Sequence, residues 1–232
     1  MRVPSISYVS EDMFLIDFGT DESANRKVGF FWNLIQKLRL PPWIHPVPGV
    51  ASIGFIIDDD FLGRDTVSAL QNELLKHARG LNVREKINYR RHIVPVCYDG
   101  EMGLDLEAVA EVTKLSKEQV IQRHLAAQYT AELVGFLPGF AYLGGVDESI
   151  QVARRSVPRP ALPAGSLGIA GNQCAIYPQS SPGGWNIIGR SPLCLFDPEE
   201  DPPCLIGLTD RVEFRRITET EFCQLWNQRS KY

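Results

Sequence analysis

Residues 165–190 read GSLGIAGNQCAIYPQSSPGGWNIIGR, a succession of short apolar runs divided by glycine and proline. Short apolar runs bounded by such turn residues are typical of β-strands. Runs of this kind cover 129–136, 165–170, 174–177, 185–189, 193–196 and 211–217. Many short strands with frequent turns indicate a closed barrel or a sandwich rather than a parallel sheet. A capping box of Thr218 and Glu221 then predicts a final helix.

The first half of the chain has a different pattern, in which strand and helix signals alternate. The strand signals cover 14–18, 51–57 and 92–98, the helical stripes cover 28–38 and 67–78, and a proline-rich loop covers 41–48. Asp65 precedes the second stripe and is expected to cap its helix. This alternation suggests a small α+β sandwich. We predict an α+β protein with an N-terminal α+β domain over residues 1–90 and a β-barrel domain over residues 91–232.

Two further helices are predicted where the halves meet. Asp105 is expected to cap the first, and Ser116 with Gln119 forms a capping box that opens the second. His124 follows Val120 by four residues, so the two side chains share a helix face that points at the core or at a buried pocket. His124 is therefore either a core histidine bonded to a backbone carbonyl or a functional group.

The composition narrows the class of protein. Of the 232 residues, 44% are hydrophobic and 22% are charged, which excludes a disordered chain, a collagen-like fibre and a coiled coil. The net charge is -4, and because a nucleic-acid binder is expected to be basic, nucleic acid is not an expected partner.

The sequence also bears on location. No stretch approaches the ~20 consecutive apolar residues of a membrane helix, so no membrane association is expected. The first residues lack the order of a secretory signal. Five cysteines without a C-x-x-C pair indicate free thiols in a reducing compartment. We expect a cytoplasmic protein.

Common cofactor motifs are absent. The sequence contains no G-x-x-x-x-G-K-[ST] phosphate loop, no G-x-G-x-x-G, no H-E-x-x-H and no G-x-S-x-G. A nucleotide would therefore be held without a recognisable phosphate loop, or by a partner. The histidines are scattered, and Phe61-Leu62-Gly63 break the ligand pattern that a calcium loop would need after Asp58-Asp59-Asp60. No tightly bound metal is predicted.

Three dense loops are the candidates for chemistry. Residues 135–143, GFLPGFAYL, form a rigid turn that either exposes aromatic rings or makes a barrel corner with core aromatics. In residues 154–160, RRSVPRP, prolines fix the backbone around Arg159, whose guanidinium suits a carboxylate or phosphate; the alternative is a solvated basic loop. In residues 173–190, Gly183-Gly184 either forms an anion nest or only joins two strands.

Four ordered motifs in the second half carry a resemblance to a known family. They are His124 followed by Tyr129, GFLPGFAYLGG (135–145), Pro158-Arg159 leading to LPAGSLGIAGNQCAIYP (162–178), and SPGGWNIIGRSP (181–192). On these motifs the chain resembles the family of the 5-oxoprolinase B subunits, also described as allophanate hydrolase subunit 1 and as the family of the sporulation-kinase inhibitor KipI. Two departures are visible: Ser191 stands where the family often has threonine, and Leu208-Thr209-Asp210 stands where Pro-Gly-Asp is common.

The resemblance implies a fold and an activity. The fold would be a small N-terminal α+β domain followed by a cyclophilin-like β-barrel. The chain would be one part of an ATP-dependent 5-oxoprolinase complex, a hydrolase that converts 5-oxo-L-proline to L-glutamate with cleavage of ATP and acts only with its partners, the C and A subunits. ATP would be shared with those partners. Two alternatives stay open: a KipI-like inhibitor of a sensor histidine kinase, and a subunit of an allophanate or urea amidohydrolase system.

The resemblance also suggests roles for single residues. A lactam becomes reactive when ATP phosphorylates its oxygen, and the site then needs donors for negative charge and a cation for the substrate carboxylate. Arg159 and Arg190 are the candidate cations, and Gln173 would bind the ring amide. His124 would act as a general acid or base. We expect Arg159, Gln173 and Trp185 to share one pocket that a docked partner completes. The other predicted substrate contacts, including the rings that exclude water and the glycine pair, are Tyr129, Phe136, Pro138, Phe140, Tyr142, Tyr177, Ser181, Gly183 and Gly184.

Overall fold

The computed structural model describes residues 3–21, 23–58, 63–82 and 89–229. The chain divides into two compact units, residues 1–88 and residues 89–232. Asp59 and Asp60, two of the three aspartates considered above, lie outside the described residues together with Phe61 and Leu62.

The first unit contains an antiparallel sheet and two helices. Its elements are β1 (Ser5–Tyr8), β2 (Met13–Asp17), α1 (Ala24–Ile35), β3 (Ile44–Pro48), β4 (Ser52–Ile57) and α2 (Arg64–Arg79). The strand order is β1-β2-β4-β3. The Phe55 ring lies 5.0 Å from the ring of Phe14 and 6.5 Å from that of Phe31 in α1, so the core lies between the sheet and this helix. The predicted α+β character of this region is confirmed.

The loop predicted over 41–48 is confirmed for residues 41–43 and wrong for the rest, because Ile44–Pro48 form strand β3. This strand is at an edge of the sheet and pairs with β4. An edge strand tolerates Pro46 and Pro48, since a residue on the solvent side of an edge has no ladder bond to donate. Proline content alone is therefore not sufficient to predict that this segment is a loop.

Helix α2 starts differently from the prediction. It begins at Arg64, and its N-cap position is Gly63, with no side-chain hydrogen bond. Asp65 lies in the first turn instead of at the cap, where its negative charge still complements the helix dipole.

The second unit contains a seven-stranded sheet, a separate strand pair and three α-helices within the described residues. Its elements are β5 (Arg91–Val96), α3 (Leu106–Thr113), α4 (Lys117–Ala126), β6 (Tyr129–Val134), β7 (Ala141–Gly144), β8 (Arg159–Leu162), β9 (Ser166–Ala170), β10 (Gln173–Ile176), β11 (Ser181–Gly183), β12 (Asn186–Arg190), β13 (Arg211–Arg216) and α5 (Glu219–Arg229). The sheet order is β12-β9-β10-β7-β6-β13-β5, and β11 pairs with β8. No helix among the described residues has both the length and the apolar character needed to cross a bilayer.

The seven-stranded sheet is nearly closed into a barrel. Its two outer strands meet through Cys97 and Arg190: the Cys97 N–H donates to the Arg190 carbonyl at 2.9 Å, and the Arg190 N–H donates back at 2.8 Å. Closure satisfies backbone groups that an open sheet would expose at its edges. Val109 of α3 and Val120 of α4 pack into the same core as the strands. The predicted β-barrel is confirmed.

The local sequence predictions for the second unit are confirmed at one position and wrong at another. Ser116 and Gln119 form the predicted capping box. The strand predicted over 193–196 is wrong, because within it only Phe196 makes a single bridge, to Cys204. Prolines at 192 and 198 flank that run and remove ladder donors.

The end of the chain follows the prediction more closely. The Thr218 hydroxyl accepts a bond from the Glu221 N–H at 3.2 Å, and the Glu221 carboxylate accepts one from the Thr218 N–H at 2.8 Å. This capping box opens α5. Just before β13, Thr209 has a φ of +72°, a left-handed conformation that glycine adopts more easily.

Candidate functional site

The barrel sheet has two faces, and strand alternation sends different residues to each. On β10, Cys174 and Ile176 belong to the barrel core, whereas Ala175 and the following Tyr177 belong to a second cluster on the opposite face. The outer face therefore has its own apolar packing, separate from the barrel interior.

Five rings form the aromatic cluster of this outer face: Phe136, Phe140, Tyr142, Tyr177 and Trp185. The Phe140 ring lies 5.3 Å from Phe136, 4.8 Å from Tyr142 and 5.4 Å from Tyr177. Trp185 lies 5.8 Å from Tyr142, and all these contacts are edge-to-face, a favourable arrangement of ring quadrupoles. Phe140, Tyr177 and Trp185 are buried, Tyr142 is half-buried and Phe136 is 62% exposed. The cluster has a buried floor and an open rim.

The rim is held in an unusual backbone conformation. Phe136 has a φ of +77°, in the left-handed region that a bulky side chain rarely adopts. The loop is closed by bonds from the Gly135 N–H to the Phe140 carbonyl at 3.1 Å and from the Phe140 N–H to the Leu137 carbonyl at 2.9 Å. Pro138 is exposed between them. A strained, exposed ring next to a packed aromatic floor is a feature of ligand sites.

The glycine pair lies against the rings. A Cβ on Gly183 would overlap the Tyr177 side chain, so only glycine permits this approach. Gly183 pairs with Arg159 across β11 and β8, and the Gly184 carbonyl accepts a bond from the Arg155 N–H at 2.8 Å. The pair therefore joins the arginine-rich segment to the aromatic cluster, and its role as an anion nest stays a prediction.

Asp105, Arg155 and Arg159 form the arginine clamp. Arg159 donates to both carboxylate oxygens of Asp105, at 2.7 and 2.8 Å, and Arg155 donates to one of them at 2.7 Å. The Ile187 N–H donates to the same carboxylate at 2.7 Å. Asp105 precedes α3 as predicted, but its side chain does not cap the helix.

The electrostatics of the clamp leave one positive charge in excess, because two guanidinium groups face one carboxylate. Burial acts to raise the pKa of Asp105, but hydrogen bonds from Arg159 and the Ile187 amide outweigh it and hold that pKa below its ordinary value. Asp105 is 3% exposed, whereas the side chains of Arg155 and Arg159 are 33% and 25% exposed. The excess charge therefore reaches solvent.

A third arginine connects the clamp to the rings. The Arg154 guanidinium lies 5.8 Å from the centre of the Trp185 ring, a cation–π contact. The Asp105 carboxylate that Arg159 binds also accepts the Ile187 N–H, and the Ile187 side chain packs in the same cluster as Trp185. The structure thus places Arg159 and Trp185 in adjoining parts of one surface.

Gln173 sits further along the outer face. Its Nε2 donates to the Glu132 carboxylate at 3.2 Å. Glu132 lies at an irregularity between β6 and β7, and a Cβ on Gly144 would overlap its carboxylate. Gln173 pairs with Ala170, which packs against the aromatic cluster. An amide and a carboxylate therefore lie beside the rings.

His124 and Tyr129 lie on the opposite side of the sheet, inside the barrel. His124 is fully buried, with its Nδ1 2.8 Å from the Tyr98 hydroxyl, and its carbonyl accepts a bond from the Tyr129 hydroxyl at 2.9 Å. Burial lowers the pKa of His124 to about 3, so the ring is neutral at pH 7. This geometry favours the core interpretation of His124, although its bond is to a tyrosine rather than a carbonyl, and a role in proton transfer stays a prediction.

Arg190 and Ser181 have other surroundings. The Arg190 guanidinium lies 4.5 Å from the centre of the Trp226 ring in α5, and its Nε donates to the Ala164 carbonyl at 2.8 Å. The Ser181 hydroxyl is buried and has no hydrogen-bond partner among the described residues. Arg190 is thus engaged by the C-terminal helix.

Two cavities of the second unit lie elsewhere. One of about 710 Å³ lies between residues 192–200 and α5, and one of about 650 Å³ lies near Tyr98 and Arg216. Neither is lined by Arg159, Gln173 or Trp185. A pocket common to the three stays a prediction. No group of three or more His, Cys, Asp or Glu side chains that could hold a metal ion occurs in the described part of the chain.

Sequence reasoning missed Asp105, Arg154, Arg155 and Glu132 as site residues. Arg154 and Arg155 belong to the candidate loop of residues 154–160, and their position before Pro158-Arg159 is the signal that could identify them. Asp105 is 54 residues from Arg159, and no local pattern predicts that pairing.

The fold and this outer face define a class of protein. The family described as "Carboxyltransferase domain, subdomain C and D" matches residues 4–206, and the chain belongs to that family. Among curated relatives, the 5-oxoprolinase B subunit of Bacillus subtilis (strain 168) is 37% identical over 226 residues, which cover 94% of both chains. The 5-oxoprolinase B subunit of Escherichia coli O157:H7 is 37% identical over 79% of this chain and 83% of its own.

Solved structures share the fold. The crystal structure of TTHA0988 superimposes with a TM-score of 0.74 at 34% identity, over 88% of this chain and 40% of that chain, so this chain spans less than half of TTHA0988. Protein PH0987 from Pyrococcus horikoshii is 39% identical, with a TM-score of 0.56 over 94% of this chain and all of its own. The K. lactis urea amidolyase has a TM-score of 0.74 at 17% identity, covering 15% of that chain, which is a likeness of fold alone.

Proposed function

We propose that this chain is the B subunit of a 5-oxoprolinase complex, which hydrolyses 5-oxo-L-proline to L-glutamate with cleavage of ATP. We further propose that the aromatic cluster and the arginine clamp hold the lactam substrate. The names of the relatives at 37% identity support the subunit role. The observation that supports the site is the junction of an aromatic floor with a clamp of net charge +1.

The substrate chemistry fits this junction. 5-Oxoproline carries one carboxylate, a flat amide and a short apolar edge. Arg155 and Arg159 would bind the carboxylate, and the rings would pack on the apolar edge and exclude water. Gln173, whose Nε2 is held by Glu132, would present its Oε1 to the ring N–H.

ATP enters the proposal as a co-substrate held mainly by partners. Phosphorylation of the lactam oxygen would supply the activation that a poor electrophile needs. The sequence has no glycine-rich phosphate loop, so we assign the triphosphate to the A and C subunits. This chain would bind and orient the ring and its carboxylate, and its outer face would be completed by the docked partner.

Reconstitution tests the proposal. The purified chain mixed with the A and C subunits and ATP should release glutamate from 5-oxo-L-proline, and omission of any one protein or of ATP should abolish the release. A complete mixture that assembles but yields no glutamate would contradict the proposal. The same mixture given allophanate or urea tests the amidohydrolase alternative, for which the urea amidolyase fold offers support only at the level of architecture. Recovery of a histidine kinase in a pull-down, without the A and C subunits, would favour the KipI-like alternative.

A further inference from the structure

Asp105 makes contacts that its place before a helix does not require. Both of its oxygens are fully used, by Arg155, Arg159 and the Ile187 N–H, and its side chain gives α3 no cap. We infer that Asp105 is a positioning residue, which orients Arg155 and Arg159 to receive the carboxylate of the substrate. The inference rests on the proposed function and assigns a specific task to a residue within it.

The energetics of burial support a role other than stability. A buried carboxylate loses its hydration, and an ion pair often does little more than offset that loss. An apolar residue at position 105 could pack α3 against the barrel without that cost. The carboxylate instead sets the orientation of its partner, because a bidentate contact fixes the plane of the Arg159 guanidinium.

The clamp is also fixed relative to the rings. Asp105 donates its N–H to the Ile187 carbonyl at 2.7 Å while its side chain accepts from the Ile187 N–H at 2.7 Å. Ile187 is part of the apolar packing that holds Trp185. A substrate packed on the rings would therefore lie at a fixed distance from the guanidinium groups of Arg155 and Arg159.

Part of the clamp is accessible to a ligand. A third of the Arg155 side chain and a quarter of the Arg159 side chain are exposed, whereas the Nε of Arg155 is buried and has no hydrogen-bond partner among the described residues. The net charge of +1 would be neutralised by one carboxylate, which matches a monoanionic lactam.

A competing role for Asp105 predicts the opposite change in substrate affinity when the residue is substituted. If Asp105 only occupied the arginines as an internal anion, then Asp105→Asn would raise the local positive charge and tighten binding of an anionic substrate. If Asp105 positions the arginines, the same substitution should weaken binding, because both guanidinium groups lose their fixed orientation.

Asp210 supplies a matched control. It is also buried, at 4% exposure, and accepts bonds from Arg90 Nε at 3.0 Å and from the Gly207 N–H at 2.9 Å. It stands before β13 and is not part of the aromatic cluster or the arginine clamp. Asp210→Asn should therefore reproduce the loss of a buried ion pair without touching the site.

The experiment compares the two variants in the complex with the A and C subunits. Asp105→Asn should raise KM for 5-oxo-L-proline by about tenfold to a hundredfold, with a smaller change in kcat. Asp210→Asn should lower thermal stability and leave KM unchanged. An unchanged or lower KM in a folded Asp105→Asn complex would overturn the inference, as would an equal rise in KM in both variants. If Asp105→Asn does not fold, Arg155→Gln, which leaves Asp105 bound to Arg159, should raise KM, and an unchanged KM there would overturn it.

A binding measurement separates this inference from the proposed function. Calorimetry of the full chain would compare 5-oxo-L-proline with 2-pyrrolidinone, the same lactam without a carboxylate. Wild type should prefer the anionic lactam, and Asp105→Asn should lose that preference, even if the reconstituted mixture released no glutamate. A wild-type chain with no preference for the carboxylate would overturn the inference whatever the activity of the complex.

Discussion

The two faces of the barrel sheet both carry aromatic side chains, yet they differ in charge and in access. On the inside, the hydroxyls of Tyr98 and Tyr129 each bond to His124 away from water. On the outside, the rings of the aromatic cluster reach from a buried floor to the exposed Phe136 and adjoin the arginine clamp. Aromatic composition therefore does not indicate a site by itself, and it is the charge next to partly exposed rings that makes the outer face the candidate site.

Among the substitutions that compare the two faces, Arg159→Ala is expected to cause the largest loss of activity. Arg159→Ala removes the bidentate partner of Asp105 and the main cation of the proposed carboxylate site. We expect kcat/KM of the reconstituted complex to fall by about a hundredfold or more, because truncating a buried, bonded charge pair is costly. Steady-state glutamate release measures it, with circular dichroism as the check on folding.

Arg216→Ala is the control for that substitution. Arg216, like Arg159, makes two hydrogen bonds to carboxylate oxygens, in this case to Asp99 and Glu118 at 3.0 and 2.9 Å, and its side chain is 39% exposed. Its removal should leave kcat/KM nearly unchanged. Equal kinetics for both arginine variants would remove the outer face from the proposed site.

A smaller effect is expected on the inside, at His124. His124→Gln keeps a polar group near Tyr98 and should leave kcat within a few-fold of wild type, because His124 has no contact with solvent. The free energy of unfolding at neutral pH should fall by about 1–3 kcal/mol through an imperfectly replaced buried hydrogen bond. A folded variant with a large loss of kcat would restore the catalytic interpretation of His124.

The pH dependence of stability gives His124 a second signature. Its pKa is about 3 in the folded chain against an ordinary value of 6.5. Below pH 6.5 the unfolded chain binds a proton that the folded chain refuses, so stability is complete above that pH and decreases toward pH 3, by up to about 1.4 kcal/mol per pH unit. Urea unfolding at pH 7.5 and 5.0 should show a shallower decrease in His124→Gln; an identical decrease would show that other groups cause it.

The inner face of the sheet was predicted from the sequence more completely than the outer face. Short apolar runs between turn residues predicted most barrel strands, and the spacing of Val120 and His124 correctly placed His124 on the buried face. The family motifs led to the loops of the aromatic cluster. Local patterns could not predict that Asp105 pairs with residues 50 and 54 positions away, since a carboxylate before a helix looks like a cap. Long-range ion pairs depend on tertiary packing.

The smallest effect, and the one that isolates the rim, comes from two residues in left-handed conformations. Phe136 and Thr209 have φ values of +77° and +72°, and glycine at either position should relieve strain of about 1 kcal/mol. Thr209 bonds the Ala131 carbonyl through its N–H just before β13 and is not part of the aromatic cluster, so Thr209→Gly should raise stability and leave kinetics unchanged. Phe136→Gly should raise stability less, since the ring contact with Phe140 is lost, and should raise KM severalfold. Thermal melts and glutamate release on both variants decide the matter. An equal KM in Phe136→Gly and Thr209→Gly would show that the Phe136 ring stabilises its loop and does not contact the substrate.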